Sequence, residues 1–130
     1  MRNTKRIGDV STAKIAAALL AKGYTVLYPF GDNERYDLVI ENHNGFERVQ
    51  CKTGRRTKSG NISFNTKSVS CNGKTVKDYK GQIEYFGVYY PLDDSCYLIP
   101  LDVTGTSETT LQLTQSNMAR STRLASDFKI

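Results

Sequence analysis

The most regular pattern in the chain is an alanine-rich run, AKIAAALLAK at residues 13–22, built from strong helix formers and closed by Gly23, a residue suited to a left-handed helix stop. It predicts a helix over 13–22, preceded by Asp9, Val10, Ser11 and Thr12. Beyond Gly23 the pattern changes to short β-branched and aromatic runs. Residues 24–29 (YTVLYP) predict a strand, followed by a turn at 31–34. Residues 36–41 and 46–53 predict two more strands, joined through His43, Asn44 and Gly45, where Asn-Gly is a strong hairpin signal. Residues 62–66 alternate and predict a strand or a projecting ribbon, 85–90 and 96–101 flank a second hairpin turn at 91–95, and 111–113 form a short strand. The last stretch, 114–130, predicts a helix carrying Met118, Arg120, Arg123 and Leu124. A helix, a mostly antiparallel sheet and a C-terminal element make an α/β or α+β domain.

The first hairpin carries the most information. A two-residue turn at Asn44-Gly45 would place Glu41 opposite Arg48, Val39 opposite Gln50, and Asp37 opposite Lys52. Because strand side chains alternate, Leu38, Ile40, Val49 and Cys51 share one apolar face, while Asp37, Glu41, Arg48, Gln50 and Lys52 share the other. The first face belongs to a core. The second is either a solvated sheet surface with ordinary cross-strand ion pairs or a site.

Length and charge narrow the choice. A chain of 130 residues fits a single domain over 1–130, and 8 Tyr and 5 Phe offset a hydrophobic fraction of only 38%. The cysteines Cys51, Cys71 and Cys96 are scattered without a CxxC pair, and His43 is the only histidine, which argues against a disulfide framework or a structural zinc site. No apolar run is long enough to span a bilayer and the basic N-terminus lacks a signal-peptide core, so a cytoplasmic, nucleoid-associated protein is expected. The net charge of +5 is uneven. Residues 48–80 hold nine basic side chains (Arg48, Lys52, Arg55, Arg56, Lys58, Lys67, Lys74, Lys77, Lys80) against Asp78 alone, in a setting of Gly, Ser, Thr and Asn. Such a segment is either a solvated charged loop or the footprint of a polyanion. With no basic amphipathic helix visible, a membrane surface is not the expected partner.

At the first hairpin a resemblance enters. Asp37, twelve intervening residues, and then Gln50-Cys51-Lys52 resemble the signature of PD-(D/E)xK nucleases, with Gln50 in place of the usual acid. The stretches IGDVSTAK, YPFGDNERYDLVI, RVQCKTGR and GQIEYFGVYY, across residues 5–101, are similar to the PD-(D/E)xK endonucleases associated with group I introns, in which glutamine occupies that place. The resemblance implies a restriction-endonuclease-like core, a central mixed sheet with an N-terminal helix, hydrolysis of double-stranded DNA with a divalent metal, and a homo-oligomer (dimer or tetramer), since cutting two strands takes two active sites.

The resemblance also implies roles. Asp37 is the expected metal ligand, with the Cys51 backbone carbonyl beside it, Mg²⁺ as the ion and Mn²⁺ as a substitute, because magnesium favours hard oxygens. Gln50 supplies a neutral oxygen. Lys52 orients or deprotonates the attacking water, or stabilises the phosphate. Asp9 is the candidate second carboxylate, or else a helix N-terminal charge or cap. Thr12 stands where relatives often carry a glutamate, and Glu34 and Glu41 are weaker substitutes. Arg55, Arg56 and Lys58 would run along phosphates, and Asn61, Ser63, Asn65 and Lys67 would enter a groove if residues 61–67 form a ribbon; the alternative is an exposed edge hairpin. Tyr79, Tyr85, Tyr89 and Tyr90 would stack on bases or serve as core or subunit contacts, with the sheet around 85–101 as the oligomer surface. A Holliday-junction resolvase and a nuclease-derived DNA-binding module that no longer cuts are the alternatives.

Overall fold

Helix α1 spans Thr4–Lys22, starting well before the alanine-rich run that predicts it. One of its first free amides is satisfied by Asn3, whose Oδ1 accepts from the Arg6 N–H at 3.0 Å. At the other end Gly23 takes φ 105° and its N–H bonds to the Leu19 and Leu20 carbonyls. Residues 8–12 are weak helix formers, and packing holds them: Ser11, Ile15, Ala16 and Leu19 make one buried stripe. This computed structural model describes residues 3–31, 33–69, 76–77, 79–114 and 123–130.

The strands are β1 (Thr25–Leu27), β2 (Leu38–Asn42), β3 (Gly45–Thr53), β4 (Arg55–Arg56), β5 (Ile62–Asn65), β6 (Ser68–Val69), β7 (Val76–Lys77), β8 (Tyr85–Tyr90), β9 (Ser95–Pro100), β10 (Glu108–Gln112) and β11 (Arg123–Leu124). A five-stranded sheet runs β1-β2-β3-β8-β9 and is mixed, since β3 and β8 are parallel and the other pairs antiparallel. A four-stranded sheet runs β11-β10-β5-β4, and β6 pairs with β7. The α+β class expected from the sequence is the one found.

Strand β8 shows why the sheets stack. Its sequence YFGVYY is buried at nearly every position, as a strand covered on both faces must be. On one side, Ile15 and Leu19 of α1 pack over Leu38, Ile40, Val49, Cys51, Tyr89 and Cys96. On the other, Phe86, Val88 and Ile99 meet Ile62, Phe64 and Leu111 of the second sheet. Residues 62–65 are therefore an inner strand of that sheet and not a projecting ribbon. Tyr79, Tyr89 and Tyr90 are core residues, and the outer side of β9 is bonded by the chain's own C-terminus, through Leu98 N to Phe128 O at 2.9 Å and Ile130 N to Cys96 O at 3.0 Å. The backbone edge of β9 is thus taken by the chain itself, while the 91–94 turn beside it is exposed. In place of the expected C-terminal helix, the described part of that stretch is β11 and a 3₁₀ turn at Ala125–Asp127; Met118 and Arg120 lie outside the described residues, as do Cys71, Lys74 and Asp78.

The first hairpin keeps its faces but shifts its register. Asn42 pairs with Gly45, Glu41 with Phe46 and Val39 with Arg48, so the turn is His43-Asn44. Gly45 supplies the positive φ, 97°, that follows a type I turn, and the Asn42 Oδ1 accepts from the Asn44 N–H at 2.8 Å. The slip is two residues along the strand, so Leu38, Ile40, Val49 and Cys51 remain on the buried face. One register step beyond the paired residues, Asp37 lies across from Gln50, not from Lys52.

Gly87 sets how closely α1 approaches the sheet. A Cβ there would lie 2.8 Å from Ile15 Cγ2 and 3.1 Å from Val49 Cγ1, both on β-branched, fully buried side chains. Gly87→Ala is expected to destabilise the fold by about 1–3 kcal/mol in urea unfolding. Gly8→Ala, on an open face of α1 with nothing within 4 Å, is expected to stabilise it by up to about 1 kcal/mol. Like signs for the two would contradict this account of α1 packing.

Candidate active site

Asp37 sits where β2 leaves β3. Its own N–H donates to the Val49 carbonyl at 2.9 Å, and its Oδ2 accepts from the Cys51 N–H at 2.9 Å. The carboxylate thus takes the place of the next carbonyl of the ladder, and among the described residues nothing donates to Oδ1. Alternation along β3 places a second oxygen nearby. Glu84 N bonds to Arg48 O and Gly54 N to Tyr89 O, so even-numbered residues of β3 direct their backbone groups toward β8. Odd-numbered residues direct theirs toward β2, and the Cys51 carbonyl lies on the same strand edge as its N–H, the edge occupied by Asp37.

Burial pushes the Asp37 carboxyl above the usual carboxylate value; the Cys51 amide and the charge of Lys52 act against that, and the charge of Asp9 adds to it. The two carboxylates are therefore close enough to feel each other. Asp9 lies in the second turn of α1, past the cap supplied by Asn3, so the cap reading does not hold. Its part of the helix is fixed to β3 by the Ser11 and Thr53 hydroxyls, 2.5 Å apart. Thr12 uses its hydroxyl to donate to Gly8 O at 3.0 Å. The Cys51 thiol is buried, and burial and then the Asp37 charge push its pKa far up, so the sulfur is no thiolate ligand. Glu34 shares a cavity of about 210 Å³ with Asp37, Tyr28 and Tyr36, whereas Glu41 is far along β2, opposite Phe46.

Gln50 and Lys52 are half-buried on the face of β3 away from α1. Lys52 Nζ donates to the Tyr79 hydroxyl at 3.3 Å and lies 5.1 Å from the centroid of that ring. The Arg35 guanidinium carbon lies 4.2 Å from the same centroid. Two residues from Gln50 on this face, Arg48 grips Glu84 through Nε at 3.0 Å and Nη2 at 2.5 Å, and the Arg48 N–H donates to the same carboxylate at 2.7 Å. Arg48 holds Glu84 below the usual carboxylate range. Arg35 and Glu84 are neighbours of the site that the sequence pattern missed, and Tyr79, expected to stack on bases or to serve as a core or subunit contact, is in the core and touches Lys52. All three are remote in sequence from β3, and no local period marks them.

The basic segment is less bare than its sequence suggests. Arg48 is paired with Glu84, and Arg55 Nη2 lies 2.6 Å from Glu108 Oε2, both acids coming from outside the segment. The Ser63 hydroxyl, in a buried residue, donates to Glu108 as well. Asn61 accepts from Leu113 N at 3.2 Å. Arg56, Lys58 and Asn65 are exposed and Lys67 is half-buried. Arg55, Ser63, Asn65 and Glu108 share the outer face of the second sheet, by the pairing of Arg55 with Ser63 and of Asn65 with Glu108.

Among the described residues no three Asp, Glu, His or Cys side chains are grouped to hold a metal. What converges among the described residues is the Asp37 carboxylate, with Oδ1 not hydrogen-bonded, and the Cys51 carbonyl, with the charge of Asp9 felt at Asp37. That set of hard oxygens fits Mg²⁺, which keeps several waters and needs few protein ligands.

Residues 2–130 match the family described as PD-(D/E)XK endonuclease. The fold is similar to that of a bacterial homing endonuclease, I-Ssp6803I, with a TM-score of 0.78 and 26% sequence identity, over 98% of this chain and 89% of that one. No curated protein matches the sequence.

The raised Asp37 pKa carries a stability consequence. Above its folded-state value the fold holds a carboxylate it would rather protonate, and the cost disappears as pH falls below the ordinary value of 3.8. Asp37→Asn, which keeps an acceptor for the Cys51 amide, is expected to raise the thermal midpoint at pH 7, with the gain fading toward acid pH. A lower midpoint at pH 7 would mean that the charge is a net support to the fold.

Proposed function

Because the chain belongs to the PD-(D/E)XK endonuclease family, we propose that it is a metal-dependent, sequence-specific endonuclease of double-stranded DNA, acting in the manner of a homing enzyme in the cytoplasm on nucleoid DNA. The observation that carries this reading is the Asp37 carboxylate, held by the Cys51 amide through Oδ2, with no donor to Oδ1 among the described residues and with Lys52 near enough to affect its titration. Asp37 and the Cys51 carbonyl, supported by Asp9, would hold Mg²⁺, with Mn²⁺ as a substitute. Bound there, such an ion acidifies water and offsets charge on a phosphate.

The remaining work falls to the chain's own side chains. Lys52, an ammonium with three donors, binds a non-bridging phosphate oxygen or orients the attacking water, and so favours the state in which negative charge builds on the phosphate. Gln50 offers an amide oxygen or an N–H on the same face without a carboxylate's repulsion of the phosphate. Arg56 and Lys58, exposed just past β3, contact phosphates, and Arg55 joins them by exchanging Glu108 for DNA. In place of a ribbon, the outer face of the second sheet presents Asn61, Asn65 and Lys67 to the groove. Ser63 can do so only if Glu108 releases it. Two-strand cleavage requires two such sites, hence a homo-oligomer, dimer or tetramer.

Cleavage of a large, sequence-diverse DNA tests the proposal: discrete fragments are expected with Mg²⁺, and none with EDTA or with Asp37→Ala. Lys52→Ala is expected to slow cutting about 10²–10³-fold while sparing DNA affinity. Arg55→Ala combined with Arg56→Ala is expected to weaken binding and lower its salt slope by about two units if both contact phosphate. Salt-sensitive binding without cutting would instead favour a binding module, and preference for four-way junctions a resolvase. Equal binding losses in the Lys52 and arginine variants would contradict the division of roles.

A further inference from the structure

A lysine in a nuclease site must hold its ammonium at one point, yet its four-carbon stem is flexible. Among the described residues Lys52 makes no ion pair. The side chain two positions earlier on the same strand face, the natural place for a carboxylate that could anchor it, is the neutral Gln50. The hydrogen bond that Lys52 does make is to the Tyr79 hydroxyl, at 3.3 Å.

Tyr79 is built to hold that hydroxyl still. The residue is only 4% exposed, its ring meets that of Phe86 in a T-shaped contact at 5.4 Å and 89°, and the Arg35 guanidinium lies over it at 4.2 Å. The turn that carries it is closed by Gln82 N donating to Tyr79 O at 2.9 Å and is tied back to β3 by Arg48, which donates to Gly81 O at 3.4 Å and grips Glu84. A phenol oxygen is a neutral acceptor. It fixes one N–H of the ammonium, leaves the other two for phosphate or water, and does not cancel the positive charge.

We propose that Tyr79 is a positioning residue for the cleavage reaction, its hydroxyl holding the Lys52 ammonium in place where Gln50 provides no anionic tether. This inference rests on the nuclease reading for its catalytic consequence, but the tether itself can be measured without it. Tyr79→Phe keeps the ring and its packing and removes only the hydroxyl. Two readouts follow. In limited acetylation followed by mass spectrometry, Lys52 is expected to react several-fold faster in Tyr79→Phe than in the wild type, with Lys5 and Lys22 of α1 unchanged. In single-turnover cleavage with Mg²⁺ at saturating enzyme, the rate is expected to fall about tenfold, while DNA affinity measured with Ca²⁺ and the thermal midpoint stay at wild-type values. Unchanged Lys52 labelling overturns the proposal, as does an unchanged rate in a protein that otherwise cuts. A fall in rate matched by losses of affinity and midpoint would also overturn it, because it would assign Tyr79 a purely structural role. If the wild type cuts no DNA, the nuclease reading fails, and the labelling result still decides whether Tyr79 holds Lys52.

Discussion

The Cys51 amide donates to the Asp37 carboxylate instead of to a backbone carbonyl, and the geometry of the site follows from that substitution. The paired residues of the β2–β3 ladder begin at Leu38, so the chain before it departs just where Cys51 needs an acceptor. A buried amide without one would cost about 1–3 kcal/mol. The carboxylate supplies it, and in doing so is pinned to the strand edge toward which the Cys51 carbonyl also points. Two hard oxygens are brought together by a requirement of the sheet itself.

The cores on either side of β8 make that arrangement rigid. On one side α1 approaches closely because Gly87 has no side chain, and this carries Asp9 to where its charge is felt by Asp37. On the other, Phe86 and Tyr79 meet in a T-shaped contact, and the Arg48–Glu84 pair secures the turn from which Tyr79 reaches Lys52. Asp37 and Lys52 thus owe their positions to different layers of the molecule. The polar face of β3 is neither an open solvated surface nor a simple ladder of cross-strand ion pairs: Arg48 is matched by an acid thirty-six residues away in sequence, and Asp37 by a backbone amide.

Much of this was legible in the sequence, and for physical reasons. Strand alternation has a period of two, so the division of Leu38, Ile40, Val49 and Cys51 from Asp37, Gln50 and Lys52 survived a register slip of two residues that changed every partner. The slip itself was illegible, because Asn-Gly serves a type I′ turn as well as it serves a type I turn followed by a left-handed glycine, as at Gly45. The start of α1 was missed because Gly8 and Ser11 have poor helix propensity and the packing that outweighs it is tertiary. The charge excess of residues 48–80 was correctly counted but not correctly placed, since Glu84 and Glu108 come from other strands and turns. Tyr79 stood out only as one tyrosine among several; its contact with Lys52 depends on the turn that Arg48 fastens, which no local pattern marks.

Asp37 and the Cys51 carbonyl are proposed to form the cation site together. Anomalous scattering from crystals soaked in Mn²⁺ tests it most directly. The account predicts one peak in contact with an Asp37 oxygen and the Cys51 carbonyl oxygen, lost in Asp37→Asn. A peak that persists in that variant, or that sits on other ligands, would contradict it.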